Sequence, residues 1–213
     1  MTDNNIFNLI KGGFKFIGLT IIDPRRSLSQ LADDENQVFY GWFTFLLSLV
    51  IFAPILILAA IYLRPTGWLP LFIKGIPEDM IYVYFCATSP VLVILDLVVL
   101  ASMEMIKIFC PSKDSLPFKS TFSTTMISIS MIIYLDIITE SIAIVYFFVT
   151  GASFFPEILK IVMFFLCGIM FAWMIALFSI SISVTKKISW GKSVTFGVIV
   201  TLIYWILLTF WIF

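Results

Sequence analysis

From Phe118 to Thr150 the chain reads FKSTFSTTMISISMIIYLDIITESIAIVYFFVT, with Asp136 and Glu140 inside an otherwise apolar run and no basic residue after Lys119. A hydrocarbon core of about 30 Å needs roughly 20 residues of helix, so this stretch is longer than one straight crossing requires. Its hydroxyl-rich opening, STFSTTMISIS, is therefore expected to be partly interfacial or to pack against another helix. Carboxylates four residues apart share one face of a helix. Asp136 falls near the middle of the span, where a charged side chain costs roughly 2.5 to 3.5 kcal/mol on insertion scales. That face must look at protein or water rather than lipid, either as a hydrogen-bonded lock between helices or as part of a binding or transport path.

The rest of the chain repeats the apolar pattern. Charged residues make up 12% of the sequence, against roughly 25% in a soluble domain, and mean hydropathy is +1.10, which makes this a polytopic membrane protein. Phe39 to Leu63 is uncharged over 25 residues, or roughly 37 Å of helix, with Pro54 inside it. Further spans are expected over Met80 to Met103, with Pro90 and Asp96 inside it, over Phe118 to Val149, from Glu157 to about Val184, and over Ser193 to Phe213. Gly168, Ala172 and Ala176, continued by Ser179 and Ser183, recur every four residues and predict a close helix approach; Ser193, Gly197 and Thr201 form a second such ridge. The fold class is all-α: a polytopic bundle of five transmembrane helices preceded by an N-terminal amphipathic helix.

Residues 1–37 form a cytoplasmic N-terminal segment and residues 38–213 the transmembrane domain. The opening MTDNN lacks the basic and apolar regions of a cleaved signal peptide, so the N-terminus is expected to be retained. Ile6, Leu9, Ile10, Phe14, Ile17 and Ile21 recur at helical spacing with Lys11 and Lys15 off that stripe, which suits either a helix in the membrane plane or one docked on the protein itself. Asp23 before Pro24 predicts an N-cap and first turn for a short helix, PRRSLSQLA, ending at the solvated residues 33–36. Ten of the thirteen basic residues fall in the N-terminal segment and the second and fourth linkers, and only Arg64, Lys74 and Lys160 on the opposite side. The positive-inside rule then places the N-terminus in the cytoplasm and, with five spans, the C-terminus outside.

Catalytic chemistry finds little support. With no histidine, His-based triads, His-ligated zinc and haem are excluded. Phosphate-binding glycine loops and nucleophile elbows are missing too. Cys86, Cys110 and Cys167 are scattered through apolar surroundings and read as buried thiols without a disulfide. No enzymatic activity and no cofactor are expected. The candidate intramembrane polar site is Asp96, Asp136, Glu140 and Lys160. Glu140 and Lys160 flank the turn around Gly151 and are expected to pair, while Asp136, one turn deeper, is expected to bond hydroxyls such as Ser128 or Ser130. Pro24, Arg25 and Arg26 form the candidate cytoplasmic contact, with solvated headgroups as the plain alternative.

The run IIDPRRSL from Ile21 to Leu28, a first pair of spans, SLPFKSTF from Ser115 to Phe122 leading into a third, and SVTKKISWGKS from Ser183 to Ser193 before the last resemble, in this order, the Yip domain family of multispanning, Rab-interacting-type membrane proteins. The likeness covers roughly residues 20–213. It implies five spans, a cytosolic N-terminus and a non-enzymatic role as a scaffold or adaptor in membrane traffic or organisation. Eukaryotic members of the family bind prenylated Rab-type GTPases and carry a longer cytosolic N-terminal region, so the short segment here resembles a prokaryotic member in the cell membrane. A small channel, transporter or lipid-moving protein using the carboxylates, and a subunit of a larger membrane complex, are the competing functions. The expected partners are the lipid bilayer and other protein, a second copy of the chain included; nucleic acid is not expected.

Overall fold

The computed structural model describes residues 3–63, 81–151 and 156–212. Arg64, Lys74 and the semi-apolar loop between the first two expected spans lie outside these residues, as do the side chains of Cys86 and Pro90. Among the described residues the chain is entirely helical: α1 (Asp3–Ile22), α2 (Pro24–Asp33), α3 (Gln37–Leu63), α4 (Ile81–Phe109), α5 (Phe118–Thr150), α6 (Glu157–Lys186) and α7 (Trp190–Ile212). Four of these, α3, α5, α6 and α7, are long and apolar enough to cross a membrane.

The short elements form for local reasons. Asp23 caps α2 by accepting from the Arg26 N–H at 3.1 Å, with Pro24 in the first turn. Gly151 closes α5 in the left-handed conformation, φ 61°, and its N–H donates to Phe147 O at 2.9 Å. Lys187 closes α6 the same way, and Trp190 opens α7 three residues later, which makes α6 and α7 a tight antiparallel hairpin.

One end of the bundle gathers five helix termini. A Cβ placed on Gly41 of α3 would stand 3.0 Å from the Ser123 Cα of α5, and Trp42 packs on Phe122 with ring centroids 5.4 Å apart, so α3 and α5 start side by side. The Leu116 N–H donates to Thr185 O at 2.7 Å, bringing the end of α6 to the same place. Glu104, near the end of α4, meets Lys186 there at 2.6 Å. The long helices therefore alternate in direction, around a core that includes Phe45, Met103, Met126, Met174 and Phe178.

The hydroxyl-rich opening of α5 packs inside the bundle, with Ser120, Thr121 and residues 123–130 all buried. Its side chains stay satisfied by bonding their own helix: Ser128 donates to Thr124 O at 2.8 Å and Ser130 to Met126 O at 2.7 Å. Small hydroxyl residues leave room for the close α3 contact at Gly41. Cross-helix bonds add to this, Thr124 with Ser181 at 2.7 Å and Ser120 to Ala32 O of α2 at 2.9 Å.

Two packing expectations are corrected. Gly168 and Ala172 are exposed, and a Cβ on Gly168 would meet nothing, so the start of the first small-residue ridge is not where α6 meets its neighbour. The approach comes further along, where Gly197 of α7 lies against Ser179. The second ridge does face inward, with Ser193 and Thr201 buried. Cys110 and Cys167 are free thiols but only half-buried.

Candidate functional site

The carboxylates singled out by the sequence stand on two helices. Asp96 of α4 is 3% exposed, while Asp136 and Glu140 of α5 are half-buried one turn apart. Tyr204 of α7 stands in the electrostatic field of both Asp96 and Asp136, and Cys167 of α6 in that of Asp136 and Glu140. Four helices thus carry polar or polarisable groups within electrostatic reach of a carboxylate on a neighbouring helix. Glu140 Oε2 and the Tyr134 and Thr201 hydroxyl oxygens are buried without a hydrogen-bond partner among the described residues.

Lys160 does not join them. Its Nζ lies 2.6 Å from Glu157 Oε1, an exposed pair three residues apart on α6, in place of the expected pair with Glu140. The reason is proximity: Glu157 competes from the adjacent turn of the same helix, where no side chain needs to reach across the bundle. Nor do Ser128 and Ser130 serve Asp136, since both hydroxyl protons are committed to backbone carbonyls of α5. Among the described residues, no ion pair involves Asp96, Asp136 or Glu140. An open groove of about 460 Å³ on α6 is lined by Lys160, Ile161, Phe164 and Cys167.

A second polar centre was not foreseen. Lys186, at the end of α6, has a fully buried side chain whose Nζ donates to Glu104 Oε1 at 2.6 Å and to Thr121 Oγ1 at 2.8 Å. Lys107 meets the other Glu104 oxygen at 2.8 Å. Burial acts to raise the Glu104 carboxyl, yet hydrogen bonds with Lys107, Lys186 and Thr121, together with the Lys186 charge, hold it down at about 2. The only local signal was the Glu104–Lys107 spacing on one helix; nothing in the sequence links either residue to Lys186.

The proposed contact residues sit at the same end of the bundle. Arg25 and Arg26 are exposed and Pro24 is half-buried on α2, whose Leu28 and Leu31 are fully buried beneath them. α2 packs on α5 and α6, so the arginines are carried on an anchored helix. No protein-family model matches this chain, and neither does any curated protein or solved structure.

Proposed function

We propose that the chain is a non-enzymatic integral membrane protein whose five long helices all cross the bilayer, and that it acts as a scaffold or adaptor like the Yip-type proteins it resembles. The placement is a prokaryotic cell membrane, with the N-terminus cytoplasmic and the C-terminus outside. The observation that carries this reading is the mounting of Arg25 and Arg26: an anchored, capped helix holds two exposed guanidinium groups clear of the bundle. Pre-set orientation lowers the ordering cost of binding, which suits a contact surface for an acidic partner. Photo-crosslinking from position 25 or 26 in native membrane should capture a defined protein, and Arg25→Ala with Arg26→Ala should abolish that capture. Labelling of lipid alone would defeat the adaptor reading.

A second reading has its own support. The reach of Asp96 and Asp136 to Tyr204, and of Asp136 and Glu140 to Cys167, favours a small channel, transporter or lipid-moving protein, since intramembrane carboxylates commonly mark ion or proton paths. Ion and lipid flux in reconstituted liposomes decides between the two. Flux that Asp136→Asn removes without loss of thermal stability would put transport first. A subunit role in a larger complex would show as co-purification from native membrane.

A further inference from the structure

α1 presents three different sides. At about 100° per residue, Gly13, Phe16 and Thr20 fall on the side toward the bundle, and all three are buried. Gly12 and Gly13 allow that contact: a Cβ on Gly12 would stand 2.7 Å from Tyr40 Oη, and one on Gly13 would run into the Phe43 ring. A second flank carries Ile6, Phe14 and Ile21, all exposed, with Phe7 at its edge at 69% exposure. The third flank carries Asn8, Lys11 and Lys15, also exposed. Between Asn4 and Ile22 the helix has no acidic residue.

Docking on the protein thus uses a side on which Gly12 and Gly13 admit the rings of α3, and leaves much of the apolar stripe uncovered. That uncovered flank is continuous with a candidate membrane span. Phe14 meets Phe43 edge-on at 5.5 Å, Phe43 stacks on Phe39 at 6.0 Å, and Phe39 is itself exposed in the first turn of α3. α1 therefore packs on α3 at the level where that helix would enter a bilayer.

We propose that α1, while docked on α3, is seated in the headgroup layer of the membrane, with its Ile6–Phe14–Ile21 flank on acyl chains and Lys11 and Lys15 on the phosphates of anionic phospholipid. Aromatic and aliphatic side chains gain by leaving water, and lysines beside them select a negatively charged surface. The seating needs only that α3 crosses the bilayer, and holds whether or not the chain is a scaffold.

The test uses the whole protein in vesicles of phosphatidylcholine with phosphatidylglycerol, doped with a phospholipid that bears a diazirine high on its acyl chain. Peptide mapping after irradiation should find adducts at Phe7, Phe14 and Ile21, while a water-soluble amine reagent modifies Lys11 and Lys15. Replacing phosphatidylglycerol by phosphatidylcholine should lower the adduct yield several-fold, and Lys11→Gln with Lys15→Gln should remove that dependence. Hydroxyl-radical footprinting that finds Phe7 and Phe14 as open to water as Arg25 would overturn the seating. So would crosslinks from this flank to a second chain in place of lipid. Lipid adducts that ignore headgroup charge would overturn the anionic specificity. Because the mapping needs no substitution, it stands even if a variant fails to fold.

Discussion

Lys186 Nζ lies 2.6 Å from Glu104 Oε1, and the same ammonium reaches Thr121 Oγ1 at 2.8 Å, so one buried cation ties α4, α5 and α6 together. Removing one partner of such a pair strands a desolvated charge. Glu104→Gln is therefore expected to destabilise the protein by about 3 kcal/mol. Glu104→Gln with Lys186→Met should recover much of that loss, because no buried charge is left over. Thermal melts in detergent measure both, and a double variant no better than Glu104→Gln would show that the pair is not the source of the effect.

The same pair has a pH signature. Glu104 is held at about 2 against an ordinary 4.5, a depressed folded-state value. Its contribution is then complete above 4.5 and lost as pH falls from there through about 2. The gap in melting temperature between wild type and Glu104→Gln should be level above that window for as long as buried Lys186 keeps its proton, and shrink within it. A gap that widened on acidification would contradict the sign.

The glycines separate into those that pack and those that do not. Gly41→Ala places a Cβ 3.0 Å from the Ser123 Cα, which is backbone and cannot rotate away, so a loss of about 1 to 3 kcal/mol is expected. Gly168→Ala meets nothing and should stay within about 0.5 kcal/mol of wild type. Comparable losses in the two variants would mean that an unseen partner covers Gly168.

These sites also mark what the sequence could and could not convey. Uncharged runs announce helices directly, and the expected Phe39–Leu63 became Gln37–Leu63; the Asp23–Pro24 cap was equally legible because capping is local. A four-residue recurrence of small residues says only that close approach is permitted, and Gly168 has no neighbour to use it. Gly41, alone among large side chains, gave no periodic signal and yet marks a close α3–α5 approach. The Lys186–Glu104 tie spans 82 positions, and nothing at either residue specifies the other.

Glu140 and Lys160 should behave as independent residues. Lys160 is engaged by Glu157, so Glu140→Gln and Lys160→Met are expected to change stability additively, within about 0.5 kcal/mol. Lys160→Met alone removes an exposed pair and should cost about 0.3 kcal/mol. A larger coupling in a double-mutant cycle would restore a cross-helix pair between them.

The topology prediction rests on where helices begin. α3 and α5 both start at the end that holds α1 and α2, as the Gly41–Ser123 and Trp42–Phe122 contacts place them. If α3 crosses the bilayer away from that end, the chain must come back before Phe118. α4 is the described helix between them, and its 29 residues give roughly 43 Å, enough for the return. Lys11, Lys15, Arg25, Arg26, Lys113, Lys119, Lys187 and Lys192 are all exposed within the segments at this end, which the positive-inside rule places in the cytoplasm. Reporter fusions after Glu35, Lys113 and Lys187 are therefore expected to read cytoplasmic, and those after Pro77, Ser153 and Phe213 to read external. Fusions after Pro77 and Lys113 that read the same side would remove α4 from the spans and leave an even number, with the C-terminus back in the cytoplasm.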